Sequence, residues 1–223
     1  TSWGTDLFGA PRLGSLVAAI MNEFAHLPRL RLSSIDGAEI DAELFDILAH
    51  EPRMMPHVHL SLQSGDDMVL KRMKRRHTRA DAVNLIEQLR THRPELSVGA
   101  DIIAGFPTED EAMHQNNVSI IAALGVVHGH VFPYSPRPGT PAARMPQVDR
   151  ARIKARAGQL REAVLAERSR WMSTLIGTPL SVLAEKDGTG HSENFAPVHM
   201  PQGIAPGAIV TVTPECVTGG MLA

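Results

Sequence analysis

The chain has 223 residues, with 22 Lys and Arg against 24 Asp and Glu and a single cysteine. That length has room for one large domain or a medium and a small one, and a formal charge of −2 confines any nucleic-acid footprint to a local patch. The lone Cys216 excludes an internal disulfide framework, and no apolar run reaches the roughly 18 residues that span a bilayer, so a cytoplasmic protein with no membrane partner is expected.

In chain order, Thr1 to Gly4 reads as the interior of a longer protein rather than a beginning. Leu13, Leu16, Val17, Ile20 and Phe24 recur at helical spacing up to Pro28. Residues 30–35 alternate as a short strand, and Ile40, Leu44, Phe45 and Leu48 mark the next helix. Residues 57–63 alternate with period two, and Ser64-Gly65-Asp66-Asp67 supplies a turn and an N-cap for a helix through Met73. Thr78 with Asp81 predicts a capping box for the helix carrying Ala82, Val83, Leu85, Ile86 and Leu89, which Pro94 ends.

Residues 101–109 (DIIAGFPTE) are the centre of the reading. A branched apolar pair behind an acid, closed by Gly-Phe-Pro, predicts a buried parallel strand running into a tight loop, with a helix opening at Thr108 or Glu109. Gly105 would there admit a ligand that a Cβ excludes. Met113, Val118, Ile121 and Leu124 predict a further helix stopped by Gly125, followed by a strand over 126–132. Four strands separated by single helices predict a parallel α/β sheet, or half of an eight-stranded barrel with residues 30–35 as its unpaired edge.

The proline-rich residues 133–141 predict an ordered functional loop or a linker. Over 148–176 a long helix places Ile153, Ala157, Leu160, Val164 and Met172 on one stripe, with Arg150, Arg152, Lys154, Arg156, Arg161, Arg168 and Arg170 mostly off it, as a solvated or RNA-facing surface. Beyond Gly177, short β segments at 180–184, 196–198 and 209–212 with turn signals between them predict a small β-barrel appendage.

Three constellations carry possible chemistry. His57 with His59 and His128 with His130 form two His-x-His pairs on strands, as in a zinc-dependent barrel hydrolase, although no strand-end carboxylate completes a metal set and none is assigned. Ser33, Ser34, Gln63, Ser64, Gly105, Phe106, Tyr134 and Ser135 all fall at strand C-termini, so parallel packing would gather them on one rim suited to a polar, uncharged ligand such as a nucleoside. Lys71, Arg72, Lys74, Arg75 and Arg76 crowd one helix end, either neutralising RNA phosphates or capping the helix dipole.

Residues 31–35 (RLSSI), 57–65 (HVHLSLQSG), 70–78 (LKRMKRRHT), 101–109 and 130–145 (HVFPYSPRPGTPAARM) together resemble the C-terminal part of the radical S-adenosylmethionine methylthiotransferases, most closely the branch acting on threonylcarbamoyladenosine beside the tRNA anticodon. The β-rich tail resembles a TRAM domain. The resemblance implies an incomplete radical-SAM-type (β/α) barrel over 1–146, a linking helix over 147–177 and a TRAM-like module over 178–223. It implies a transferase that cleaves S-adenosylmethionine at a 4Fe-4S cluster and inserts a methylthio group into an adenine C–H bond, with tRNA as partner. By motif match, Ser33, Ser34, Gln63, Asp101, Gly105 and Phe106 would line the S-adenosylmethionine site, with Tyr134 and Ser135 at its rim. The family's Cys-x3-Cys-x2-Cys loop and its second set of three cysteines are not in this sequence, so the cluster ligands are expected in a missing N-terminal half, on the same or a separate chain, and this chain is expected to be inactive alone. The alternatives are an RNA-binding remnant without catalysis and the metal-dependent hydrolase.

Overall fold

Period-two alternation produces β1 (His57–Gln63), β2 (Ser97–Ala104) and β3 (Val126–Pro133), paired in parallel in that order. The computed structural model describes residues 3–9 and 12–223; Thr1 and Ser2 of the expected opening loop lie outside the described residues. Before the sheet come α1 (Thr5–Phe8), α2 (Leu13–Glu23) and α3 (Ala42–His50). The crossovers that parallel neighbours require are α4 (Asp67–Arg72) with α5 (Arg79–His92), then α6 (Glu111–Leu124).

Side-chain caps set the helix starts: Asp66 accepts from Met68 N and Val69 N, and Thr78 with Asp81 closes the expected capping box. The opening of α6 differs from expectation. Its cap is Asp110, which accepts from Met113 N at 2.9 Å, because Thr108 sits at φ 66 and the Glu109 side chain is turned into the core. Gly125, at φ 60, ends α6 as expected.

The strand expected over residues 30–35 is not formed. Two isolated parallel bridges remain, Leu30 to Met54 and Ile35 to Leu60, so three strands stand where four were expected. Between those anchors the side chains are held elsewhere: Arg31 donates to the carbonyls of Ser192 and Glu193 at 3.3 and 3.0 Å and lies 4.5 Å over the Phe195 ring. Arg29 donates to Ser181 Oγ at 2.6 Å.

The long helix α7 (Arg150–Thr174) lays Ile153, Ala157, Leu160 and Val164 along the packed face of the sheet. It approaches at two glycines. A Cβ on Gly105 would stand 2.6 Å from Ile153 Cγ1, and one on Gly129 would stand 2.5 Å from Val164 Cγ2. The space that Gly105 leaves is therefore filled by α7.

Arg156, expected on the solvated side of α7, is 2% exposed. It pairs with Glu109, its NH1 lying 3.0 Å from Oε1. That carboxylate also accepts from Gly105 N at 3.2 Å and Asn117 Nδ2 at 3.1 Å, while Asn117 Oδ1 accepts from Ser64 Oγ and Gly65 N. Burial pushes the Glu109 carboxyl up, against the pull of Arg156. The fully buried His114 completes the cluster, its Nε2 2.6 Å from Gln159 Oε1, and burial holds its pKa below the ordinary imidazole value.

Beyond α7, β4 (Leu180–Ala184), β5 (Thr189–Ser192), β6 (Pro197–His199), β7 (Ile209–Val212), β8 (Val217–Thr218) and β9 (Met221–Leu222) form one mixed sheet in the order β7-β4-β5-β6-β9-β8. Met172 of α7 packs into its core with Leu180, Val182, Ala196, Val198 and Leu222, so the earlier turns of one helix serve the first core and its last turn the second. Among the described residues, no helix is long and apolar enough to cross a membrane.

Gly105→Ala should lower stability by about 1–3 kcal/mol, because its methyl meets Ile153 and its φ of 73 disfavours an L side chain. In urea unfolding, Ile153→Ala should cost less in the Gly105→Ala background than in the wild type; strict additivity would remove the contact from the explanation. A second expectation concerns acid. Because the folded-state pKa of His114 is depressed, the unfolded chain takes up that proton first, and stability is lost as pH falls below about 6.5, by at most about 1.4 kcal/mol per unit. The stability advantage of wild type over His114→Gln should therefore shrink between about pH 7.5 and about pH 5, and a constant gap would contradict a neutral buried ring.

Candidate ligand-binding face of the sheet

The face of the sheet opposite the apolar core is built mainly by strand alternation, and the C-terminal half of α7 reaches its β3 edge, where Trp171 lies 5.4 Å from the His128 ring. His57, His59, Ser61 and Gln63 of β1 share it with Ser97, Gly99, Asp101 and Ile103 of β2 and with His128, His130 and Phe132 of β3. It has three levels.

At the N-terminal ends of the strands lie His57, Ser97 and His128. The Ser97 hydroxyl gives its one proton to Asn194 O at 2.6 Å, so His57 Nδ1, 2.8 Å away, is the donor of their shared bond. Phe195 covers both imidazoles, at 5.0 and 5.2 Å between ring centres. Burial, with the Arg31 charge second, brings His57 down to about 3; burial, with its histidine and arginine neighbours, brings His128 to about 2. Both rings are neutral.

The middle level holds His59, Asp101 and His130. Asp101 Oδ1 lies 3.1 Å from His59 Nε2 and 3.1 Å from His130 Nδ1. The register sets this arrangement: Gly99 stands opposite His59, and Asp101 opposite His130. A side chain at Gly99 would collide with the His59 ring, so the glycine is what lets that ring lie across β2.

At the C-terminal ends, Gln63, Ile103, Phe132, Tyr134, Ser135 and Thr140 surround a cavity of about 410 Å³. Gln63 has φ 68, an uncommon conformation for a residue with a side chain. Phe106 meets the Tyr134 ring edge-on at 5.4 Å. Tyr134 Oη is buried with no hydrogen-bond partner, and burial pushes the phenol up.

The expected rim residues are thus brought together in part. Gln63, Tyr134 and Ser135 line one cavity, with Phe106 against Tyr134. Asp101 lies a level below with the two histidines. Ser33 lines a second cavity of about 720 Å³ shared with His57, His59, His128, His130 and Phe195. Ser34 Oγ is 2.9 Å from Ser61 Oγ, and Gly105 turns its bare Cα towards α7. Of the basic set, Arg75 pairs with Asp36 at 3.2 Å, Arg76 with Glu39 at 2.6 Å, and Arg72 donates to Thr108 O; Lys71 and Lys74 are exposed. Asp101 is the carboxylate that the His-x-His pairs lacked on sequence grounds, and its signal was the register of β2 against β3.

Cys216 is exposed just before β8, its sulfur 3.6 Å from Thr218 Oγ1. The chain's one thiol, placed there, does not fit a 4Fe-4S cluster, which takes several thiolates.

The radical SAM superfamily model matches residues 3–117. The chain is similar to threonylcarbamoyladenosine tRNA methylthiotransferase MtaB of Rickettsia prowazekii, 47% identical over 94% of this chain and 50% of the relative. It is 37% identical to the MtaB of Thermotoga maritima, over 78% of this chain and 41% of the relative. To tRNA-2-methylthio-N(6)-dimethylallyladenosine synthase of Roseobacter denitrificans it is 35% identical, over 85% and 44% respectively. The chain spans about half the length of the curated relatives it matches. With more than half of its residues inside the family match, the chain belongs to the radical SAM superfamily.

Proposed function

We propose that this chain is the C-terminal half of a tRNA methylthiotransferase that inserts a methylthio group into threonylcarbamoyladenosine beside the anticodon. The observation that carries the reading is the 47% identity over 94% of the chain to a relative with that name. In this reading residues 1–146 are part of a (β/α) barrel, 147–177 a linking helix and 178–223 a TRAM-like module that grips tRNA. Lys71 and Lys74, both exposed, are the basic-set residues left to meet phosphate, while Arg72, Arg75 and Arg76 hold the protein together.

The rim cavity is the proposed S-adenosylmethionine site. Its chemistry suits the adenosyl part of that ligand: the Gln63 amide and the Tyr134 hydroxyl offer hydrogen bonds to purine or ribose edges, while Ile103 and Phe132 offer apolar surface to the flat purine face. S-adenosylmethionine bound there would supply the radical precursor and the methyl group. Tyr134 would orient it by one hydrogen bond, with Phe106 fixing the Tyr134 ring. The cluster's ligands lie outside this chain, so the chain is inactive alone in this reading.

Two measurements test it. After anaerobic incubation with iron and sulfide, the chain should hold no stoichiometric cluster and cleave no S-adenosylmethionine; a stoichiometric cluster would overturn the division of labour. In NMR titrations of the chain with S-adenosylmethionine, shifts should centre on Gln63 and Tyr134, and Tyr134→Phe should weaken binding by about three- to tenfold, the worth of one hydrogen bond. Shifts confined to other surfaces would refute the rim assignment.

A further inference from the structure

We propose that His59 Nε2, an Asp101 carboxylate oxygen and His130 Nδ1 form a mononuclear site for a divalent first-row transition ion, distinct from any iron–sulfur cluster. Among the described residues this is the one group of three His, Cys, Asp or Glu side chains whose ligand atoms converge, all within 4.8 Å of one another. Metal–nitrogen and metal–oxygen bonds of about 2.0–2.2 Å place neighbouring ligands about 2.8–3.1 Å apart in octahedral geometry and about 3.3–3.6 Å apart in tetrahedral geometry, roughly 2.8–3.6 Å in all. Both histidine nitrogens lie 3.1 Å from Asp101 Oδ1, inside that range.

The donor set narrows the ion. Two imidazoles and one carboxylate on one side of a centre leave further positions open, a pattern that suits iron(II), zinc, cobalt or manganese rather than calcium or magnesium. His59 and His130 both line the 720 Å³ cavity, whose wall also carries Arg31, Arg161 and Arg168. The open positions thus have room for water or an anionic oxygen ligand.

A second, independent observation supports a built site. His59 is buried, its side chain 7% exposed, and its ring position depends on Gly99, where any Cβ would strike Nδ1. Packing therefore holds Nε2 on Asp101, and His130, 65% exposed at its side chain, closes the set from the solvent side. The arrangement combines one fixed ligand, one shared carboxylate and one accessible ligand.

The same spacing would also serve a purely hydrogen-bonded His–Asp–His network, and the experiment separates the two. Chelator-treated chain carrying no histidine tag is titrated with cobalt(II), followed by its visible d–d absorption, and then with zinc in competition. One equivalent should bind, and zinc should displace it. His130→Ala and Asp101→Asn should each weaken cobalt binding by more than about a hundredfold, beyond the roughly 10–100-fold that outer residues of metal sites usually cost. Gly99→Ala, which removes no ligand, should weaken it as well, whereas His50→Ala, in the surface pair with His92 at 4.7 Å, should not. Far-UV circular dichroism of His130→Ala verifies the fold; replacing an exposed ring should leave it intact. Absence of stoichiometric binding, or binding unchanged in His130→Ala, would overturn the proposal. His130 is not a rim residue, so S-adenosylmethionine titration of His130→Ala separates failure of this site from failure of the rim assignment.

Discussion

The Glu109 carboxylate is the constraint on which the rest depends. It is withdrawn from solvent and receives one hydrogen bond from the loop after β2, one from Asn117 of α6 and a charge-assisted bond from Arg156 of α7. Through the other side of Asn117 it reaches Ser64 and Gly65 after β1. Four segments that have no backbone ladder in common are thereby tied at the C-terminal ends of the strands. Burying such a pair is not by itself a source of stability, but removing one partner strands the other charge, at about 3–5 kcal/mol. The pair enforces one arrangement of the loops, and Phe106 of the loop after β2 packs on Tyr134 at the rim cavity.

The two faces of the three-stranded sheet have opposite chemistry. Parallel sheets are normally apolar on both sides because helices cover both. Here Val58, Leu60, Val98, Ala100 and Ile102 follow the rule on the packed face, whereas the other face carries four histidines and an aspartate. Such a face has no core value, since buried polar groups must be partnered to be tolerated. At its lowest level Asn194 takes the Ser97 proton and Phe195 covers the imidazoles, leaving His128 Nε2 buried without a partner, and its middle level is partnered by Asp101. Its upper level still contains an unpartnered phenol.

Periodicity and punctuation made most of the elements legible in the sequence. The alternation of His57 to Gln63, the Thr78–Asp81 box, Asp66 as a cap and Gly125 as a stop all act through neighbours within a few residues. What escaped depends on partners far along the chain. Residues 30–35 alternate well enough to be a strand, yet Arg31 is drawn to carbonyls about 160 positions away, as separations of 161 and 162 show. Arg156 looked like one more solvent-facing arginine of α7 until the inward turn of Glu109 supplied its partner. The histidine pairs were visible, and the strand-end likeness was too; the meeting of Asp101 with His59 and His130 was not, because register between strands is set by the loops and helices between them.

The placement of the C-terminal module gives the sheet a direction. Asn194 and Phe195 close the polar face where β1 and β2 begin, at His57 and Ser97, and the Arg29 and Arg31 side chains fasten the module there. The opposite ends of the strands are left to the rim, where Gln63 and Tyr134 stand. In α/β sheets ligands bind at the carboxyl ends because loop backbone groups and helix N-termini converge there. A module docked at the amino ends leaves that edge free, and α7, shared between the two cores through Met172, fixes the distance between them. Access to the polar face is therefore from the rim and through the His59–His130 cavity, and the module acts as its floor rather than as its lid.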